Sequence, residues 1–141
     1  MLRKHLATPL GAAALALGLI FASSAAVPSA ALAAAQDYRF ELAGKPQAAR
    51  GGKSVVLVRL VHVPDGKPVT DAIVFEAKAD MGPAGMPTMT APAKALKPGK
   101  DGIYRVEVEP GMAGTWAITL AAKVQGEAET VRGSLTADLA K

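Results

Sequence analysis

The chain has 141 residues and a formal net charge of +4, with 16 Lys and Arg against 12 Asp and Glu and no cysteine. Because cysteine is absent, the protein has no disulfide, no thiolate metal ligand and no thiol nucleophile. The basic residues are scattered along the sequence, so the net charge does not indicate a nucleic-acid-binding protein.

Residues 1–35 have the pattern of a secretory signal peptide. Arg3 and Lys4 precede an apolar run over residues 10–21, which is followed by Ser, Pro and many alanines. The small residues near the end of this segment predict cleavage just before Ala34 or Gln36. An uncleaved anchor is the alternative, because the alanines extend the apolar stretch toward the ~20 residues of a membrane span. Both interpretations predict an exported protein of the periplasm or cell envelope, with one small domain over residues 36–141.

The first half of this domain predicts three β-strands. Residues 37–43 place Tyr38, Phe40 and Leu42 on one face of a strand. Residues 54–63 form a nearly continuous apolar run, which is typical of a central strand whose second face is partly covered. The Asp65-Gly66 pair marks a turn, and residues 72–79 form the third predicted strand.

The second half predicts four more strands. A short edge strand over residues 87–91 begins at a proline, which cannot donate to a strand ladder. Residues 103–109 alternate, with Tyr104, Val106 and Val108 on the inner face, and residues 115–123 place Trp116 inward. Residues 130–139 form the closing strand. No helical period is sustained, and the pattern predicts an all-β antiparallel sandwich of about seven strands.

All four methionines of the domain are predicted to lie at one end of the sandwich. Met81 follows the strand over residues 72–79, and Met112 follows the strand over residues 103–109. If successive strands run antiparallel, these two loops lie at the same end. Met86 and Met89 stand between them in a segment rich in Gly and Pro. In an extended chain with about three residues per turn, the side chains of Met86 and Met89 point in the same direction.

Two interpretations of the methionines remain open on the residues alone. Methionine fills irregular gaps in cores, so these side chains close the end of the core in one interpretation, with Met112 in a sulfur–aromatic contact with Trp116. In the other, the thioethers are soft ligands suited to Cu(I). His62 is the one histidine after the predicted signal peptide. A strand of ~8 residues, rising ~3.3 Å per residue, separates it from the methionine end, so it is interpreted as a strand residue.

An enzyme is not predicted. Nucleophilic catalysis needs a Ser or Cys beside a base, whereas Ser54 and Ser134 lie in or beside predicted strands and His62 is the only imidazole of the domain. Residues 49–53 contain a glycine pair and a lysine but lack the rest of a phosphate-binding loop.

Two stretches resemble the YtkA-like and FixH-like family of small exported or membrane-anchored domains. They are "GKPVTDAIVFEAKADMGPAGMPTM" over residues 66–89 and "GIYRVEVEPGMAGTWAITLAA" over residues 102–122. The resemblance implies an immunoglobulin-like β-sandwich outside the cytoplasmic membrane, in a family linked to copper handling, metal efflux or oxidase maturation. Many relatives have a histidine within the methionine segment, whereas this chain has Pro83, Ala84 and Gly85 there.

The predicted function is therefore an accessory protein of metal handling. It binds Cu(I) through Met81, Met86, Met89 and Met112 and passes it to a metal-efflux or oxidase-assembly protein. The alternative is an interaction module that binds no metal and uses the same methionine-rich end to dock an envelope complex. Neither hypothesis involves nucleic acid. In both, the protein contacts the membrane only through residues 1–35, if these are retained as an anchor.

Overall fold

The computed structural model describes residues 36–99 and 101–141, so the predicted signal peptide or anchor lies outside the described residues. In the part of the chain that is described, no helix is both long and apolar enough to cross a membrane. The described residues form ten strands: β1 (Tyr38–Leu42), β2 (Gln47–Ala49), β3 (Lys53–His62), β4 (Lys67–Val69), β5 (Ile73–Met81), β6 (Met86–Ala91), β7 (Ala93–Ala95), β8 (Tyr104–Val108), β9 (Gly114–Lys123) and β10 (Val131–Leu139).

The strands form two antiparallel sheets that enclose one core. In the six-stranded sheet, β1 and β2 follow one another along one side of β3, while β8 and β4 share its other side and β7 lies outside β8. The four-stranded sheet has the order β10-β9-β5-β6. The predicted antiparallel sandwich is confirmed. The additional strands β2, β4 and β7 have three residues each, too few for an alternating pattern to reveal them in the sequence.

The core is built from the inward faces that the alternation predicted. Val106 and Val108 of β8 are fully buried and meet Trp116, Ile118 and Leu120 of β9 across the sandwich. The central strand β3 buries alternate residues completely and half-buries most of the others, as expected for a strand covered on both faces.

Phe40 of β1 closes one side of the sandwich by packing on Gly133 of β10. A Cβ atom at Gly133 would lie 2.8 Å from Cδ2 of Phe40, so glycine is the residue that leaves room for the ring. Phe40 is 4% exposed although β1 is an edge strand. The two sheets are therefore joined along this side by an aromatic ring in contact with backbone.

The hydroxyl of Tyr104 fixes the connection between β4 and β5. It donates a hydrogen bond to the Val69 carbonyl at 2.7 Å and accepts one from the Ala72 amide at 3.0 Å. Burial raises the pKa of Tyr104. This contact sets where β5 enters the second sheet and hence where its far end, which bears Met81, arrives.

Candidate metal site

Met81 is the last residue of β5, and its side chain belongs to the core. It is 2% exposed, and a Cβ atom at Gly114 would lie 2.8 Å from the Met81 methyl carbon. The prediction that Met81 lies in a loop on an exposed rim is wrong, because β5 runs two residues beyond the predicted end at Ala79. The alternation of inward and outward side chains continues through Asp80, so Met81 points into the sandwich.

A tight 3₁₀ turn over Gly82–Ala84 reverses the chain after Met81. The Asp80 carboxylate accepts a hydrogen bond from the Gly82 amide at 2.8 Å, and the Gly85 amide donates to the Gly82 carbonyl at 2.9 Å. Gly85 has a φ of 79°, a conformation that favours glycine. The turn places Met86 directly opposite Met81 in the β5–β6 pairing.

β6 is the predicted edge strand, and it contains an irregularity that the sequence did not predict. Thr90 pairs with Asp80, and the next pair along β5 joins Met81 to Met86, so three residues of β6, Pro87 to Met89, have no partner in β5. The expected geometry, in which Met86 and Met89 point the same way along an extended segment, therefore does not describe this strand. Met86 is 36% exposed and Met89 is 38% exposed.

Met112 lies at the same end of the sandwich, as the antiparallel strand count predicted. Its carbonyl accepts a hydrogen bond from the Trp116 indole nitrogen at 3.2 Å, which holds the loop between β8 and β9 against the core. Met112 is 41% exposed and stands two residues before Gly114, the glycine that Met81 contacts. Met81, Met86 and Met112 thus lie at one end, while Met89 lies in the bulge of β6.

His62 lies at the opposite end of the sandwich. Its ring packs against Tyr38 with 5.1 Å between ring centroids, and its Nδ1 atom is 2.9 Å from a carboxylate oxygen of Asp65. No group of three His, Cys, Asp or Glu side chains arranged to hold a metal occurs in residues 36–99 or 101–141. The methionine end therefore offers thioethers without a neighbouring site of harder ligands.

A groove that no sequence pattern predicted lies on the side where β1 and β10 approach each other. This open groove has a volume of about 650 Å³. It includes Leu42, which is 43% exposed although the alternation of β1 places it on the same face as the buried Phe40. Its lining comes from separate parts of the chain: Leu42, Gly44, Lys45, Pro46, Thr115, Thr136, Ala137 and Asp138. It forms where edge strands of the two sheets approach each other, so no local motif marks it.

Comparison with known proteins identifies one family. Searches of curated proteins and of solved structures found no match. The YtkA-like family matches residues 32–121, which covers the methionine segment, the whole first stretch on which the resemblance was based and all but the last residue of the second. The FixH-like part of that resemblance stays a prediction. The chain belongs to the YtkA-like family.

Proposed function

We propose that this protein is an exported accessory protein that carries Cu(I) and delivers it to a metal-efflux or oxidase-assembly partner. Met81, Met86 and Met112 are the ligands in this proposal, and Met89, in the bulge of β6, is a further candidate thioether. One observation carries the proposal: three methionines from three separate elements lie at the same end of the sandwich.

The donor chemistry of this end fits Cu(I) as the cargo. Thioethers are neutral, soft ligands that favour Cu(I), whereas Zn²⁺ and Cu²⁺ favour imidazole and, for Zn²⁺, thiolate. The one imidazole within the described residues, that of His62, lies at the other end of the sandwich. Because thioethers do not titrate, metal binding releases no proton, and we expect the affinity for Cu(I) to depend little on pH.

The exposures of the three side chains suit a carrier. Met81 is 2% exposed and is held by core packing, so it would supply a ligand in a fixed position. Met86 and Met112 are 36% and 41% exposed, so an incoming partner can reach a metal that they hold. A site that is rigid on one side and open on the other supports both retention and transfer.

An anaerobic Cu(I) titration of the protein expressed from the complete chain, against a chromophoric chelator, tests the proposal. We expect saturable binding that shifts the methyl signals of Met81, Met86 and Met112 in NMR spectra. Met86→Leu and Met112→Leu should each weaken binding about tenfold while the unfolding midpoint stays unchanged, because both side chains are largely exposed. Unaltered Cu(I) binding by the double variant would show that the assignment is wrong.

Docking without metal is the alternative function, and the position of β6 favours it. β6 is an edge strand with five of its six residues exposed, including Met86 and Met89. Methionine surfaces adapt to different partners. A partner that is captured equally in the presence and absence of a Cu(I) chelator would support this alternative, and its loss on chelation would contradict it.

A further inference from the structure

β10 is a long, regular sheet edge that lacks several of the features that usually block edge pairing. It stands at one end of the four-stranded sheet, and its nine residues pair with β9 in an unbroken register. Natural edge strands are commonly kept short or contain Pro, Lys or a bulge, which prevents pairing with another chain. β10 contains neither Pro nor Lys.

The other edges of the described sandwich are protected in these ways. β6 begins with Met86-Pro87 and contains the bulge, and β7 has three residues. β1 has five residues, and Pro46 separates it from β2. The contrast indicates that β10 is kept open for pairing, because an exposed edge of this length otherwise promotes aggregation.

We propose that two copies of this protein pair edge to edge through β10, antiparallel and centred on Leu135. The sequence of the strand, "VRGSLTADL", is complementary to itself in this register. Arg132 of one copy lies opposite Asp138 of the other, and Ser134 lies opposite Thr136, with each pair occurring twice. The two four-stranded sheets then form one sheet of eight strands.

Charge and side-chain direction select this register. Paired residues of antiparallel strands point to the same face, so permitted registers differ by steps of two residues. Moving the partner by one such step in either direction places Arg132 opposite Thr136 or Ala140, and the ion pairs are lost. The outward-facing residues of β10, from Arg132 to Asp138, are exposed and open to a partner.

Pairing through β10 would exchange the present contacts of Arg132 and Asp138 for contacts with the second copy. Arg132 uses its Nη1 atom to reach Glu76 at 3.1 Å, and its side chain is 63% exposed. Asp138 uses its Oδ1 atom to accept a hydrogen bond from Thr115 at 2.6 Å. Both contacts lie on the β9 side of β10, so each side chain must turn from its present contact toward the open edge to reach the partner.

The groove beside β10 adds apolar surface to this contact. Thr136, Ala137 and Asp138 form part of its lining, together with the 43% exposed Leu42. In the proposed register, Arg132 to Ser134 of the second copy lie alongside this part of β10, at the opening of the groove. One strand pair with two groove openings is smaller than a standard protein interface, so we expect a dimer with a Kd of about 10 µM.

Exchange of the two charges tests the register. Arg132→Glu and Asp138→Arg should each raise the dimer Kd about tenfold in analytical ultracentrifugation of the protein expressed from the complete chain, since like charges then lie opposite each other twice. The double variant R132E/D138R should restore the original Kd. Lys123→Glu, an equal charge change at an exposed position of β9, should leave it unchanged. A protein that is monomeric up to ~1 mM, or a dimer insensitive to these changes, would refute the proposal.

Cross-linking tests the same register independently of the charges. The chain has no cysteine, so single introduced thiols are unique. In a mixture of the Ser134→Cys and Thr136→Cys proteins, a short thiol-specific cross-linker should join the two variants, because opposed Cβ atoms lie about 4.5–5.5 Å apart. A mixture of Thr119→Cys and Thr136→Cys proteins should give no more product than random collision. Equal yields from both mixtures would contradict pairing through β10. Neither the charge exchange nor the cross-linking changes Met86 or Met112, so the results of both experiments are independent of Cu(I) binding.

Discussion

Met81 and Met86 are direct partners across the β5–β6 pair, yet Met81 is 2% exposed and Met86 is 36% exposed. Two methionines at one position along the sandwich therefore differ in what they contribute. The buried one packs among core residues and against Gly114, and the other covers the end of the molecule.

Met81→Ala should lower the free energy of unfolding by about 2–5 kcal/mol, because it leaves a cavity in the core. Met86→Ala, the matched substitution at the exposed partner, should lower it by less than about 1 kcal/mol. Urea unfolding of the two variants measures both values. Equal losses would mean that Met81 is not held in the core as described.

The same difference in burial predicts the order in which the thioethers react with hydrogen peroxide. Each sulfur takes one oxygen atom to form a sulfoxide, and peroxide leaves as water. Met86, Met89 and Met112 are 36–41% exposed, so we expect them to react at least about tenfold faster than Met81. Mass spectrometry of peptides after brief oxidation measures the four rates. Oxidation of Met81 at the rate of the others would indicate frequent opening of this end.

Tyr104→Phe should lower the free energy of unfolding more than Tyr38→Phe does. It removes the partner of both the Val69 carbonyl and the Ala72 amide, and a buried polar group left without a partner costs about 1–3 kcal/mol. Tyr38→Phe removes one bond to Glu127, a side chain that water can reach, so a loss below about 1 kcal/mol is expected. Thermal or urea unfolding of both variants provides the comparison. A smaller loss for Tyr104→Phe would contradict its role in fixing the entry of β5.

Most of the fold was predictable because its longer strands alternate regularly. Tyr104, Val106 and Val108 alternate with charged residues, and burial of one face follows directly. The closing contact between Phe40 and Gly133 was not predictable, since it joins residues far apart in the sequence. A glycine within a strand indicates close approach of some group, but it does not identify that group.

The candidate site was predictable in position and not in detail. The antiparallel strand count brought Met81 and Met112 to one end without any tertiary information. Continued alternation through Ala79 and Asp80 was a signal that Met81 points inward, although the Gly82-Pro83 pair directly after it favoured a loop. The bulge that displaces Met89 depends on how β6 pairs with β5, which the local sequence does not encode.

Gly133→Ala should destabilise the protein by about 1–3 kcal/mol, because the added methyl group would lie 2.8 Å from the Phe40 ring. Phe40→Leu removes the ring and serves as the compensating change. The double variant F40L/G133A should lose less stability than the sum of the single losses, since the methyl group then has space. Additive losses in urea unfolding would show that the two residues are not in contact.

The last prediction concerns alkaline pH. Partial burial and the hydrogen bond that the Tyr38 hydroxyl donates to Glu127 at 2.8 Å raise the pKa of Tyr38 from its ordinary value of 10.0 to about 12. The folded protein therefore keeps this proton between pH 10 and 12, while the unfolded chain releases it. The contribution of Tyr38 to stability is fully present below pH 10 and is lost as the pH rises through 12.

Tyr38→Phe isolates this contribution from the other groups that titrate at alkaline pH. The difference in unfolding free energy between the parent and Y38F should be constant below pH 10 and should change between pH 10 and 12, with the parent losing stability faster. The tyrosinate absorbance supplies a second measurement, because the chain has 2 tyrosines and Y38F retains Tyr104 alone. If the tyrosinate signal that is lost in Y38F has its midpoint near pH 10, the hydrogen bond to Glu127 is not maintained in solution.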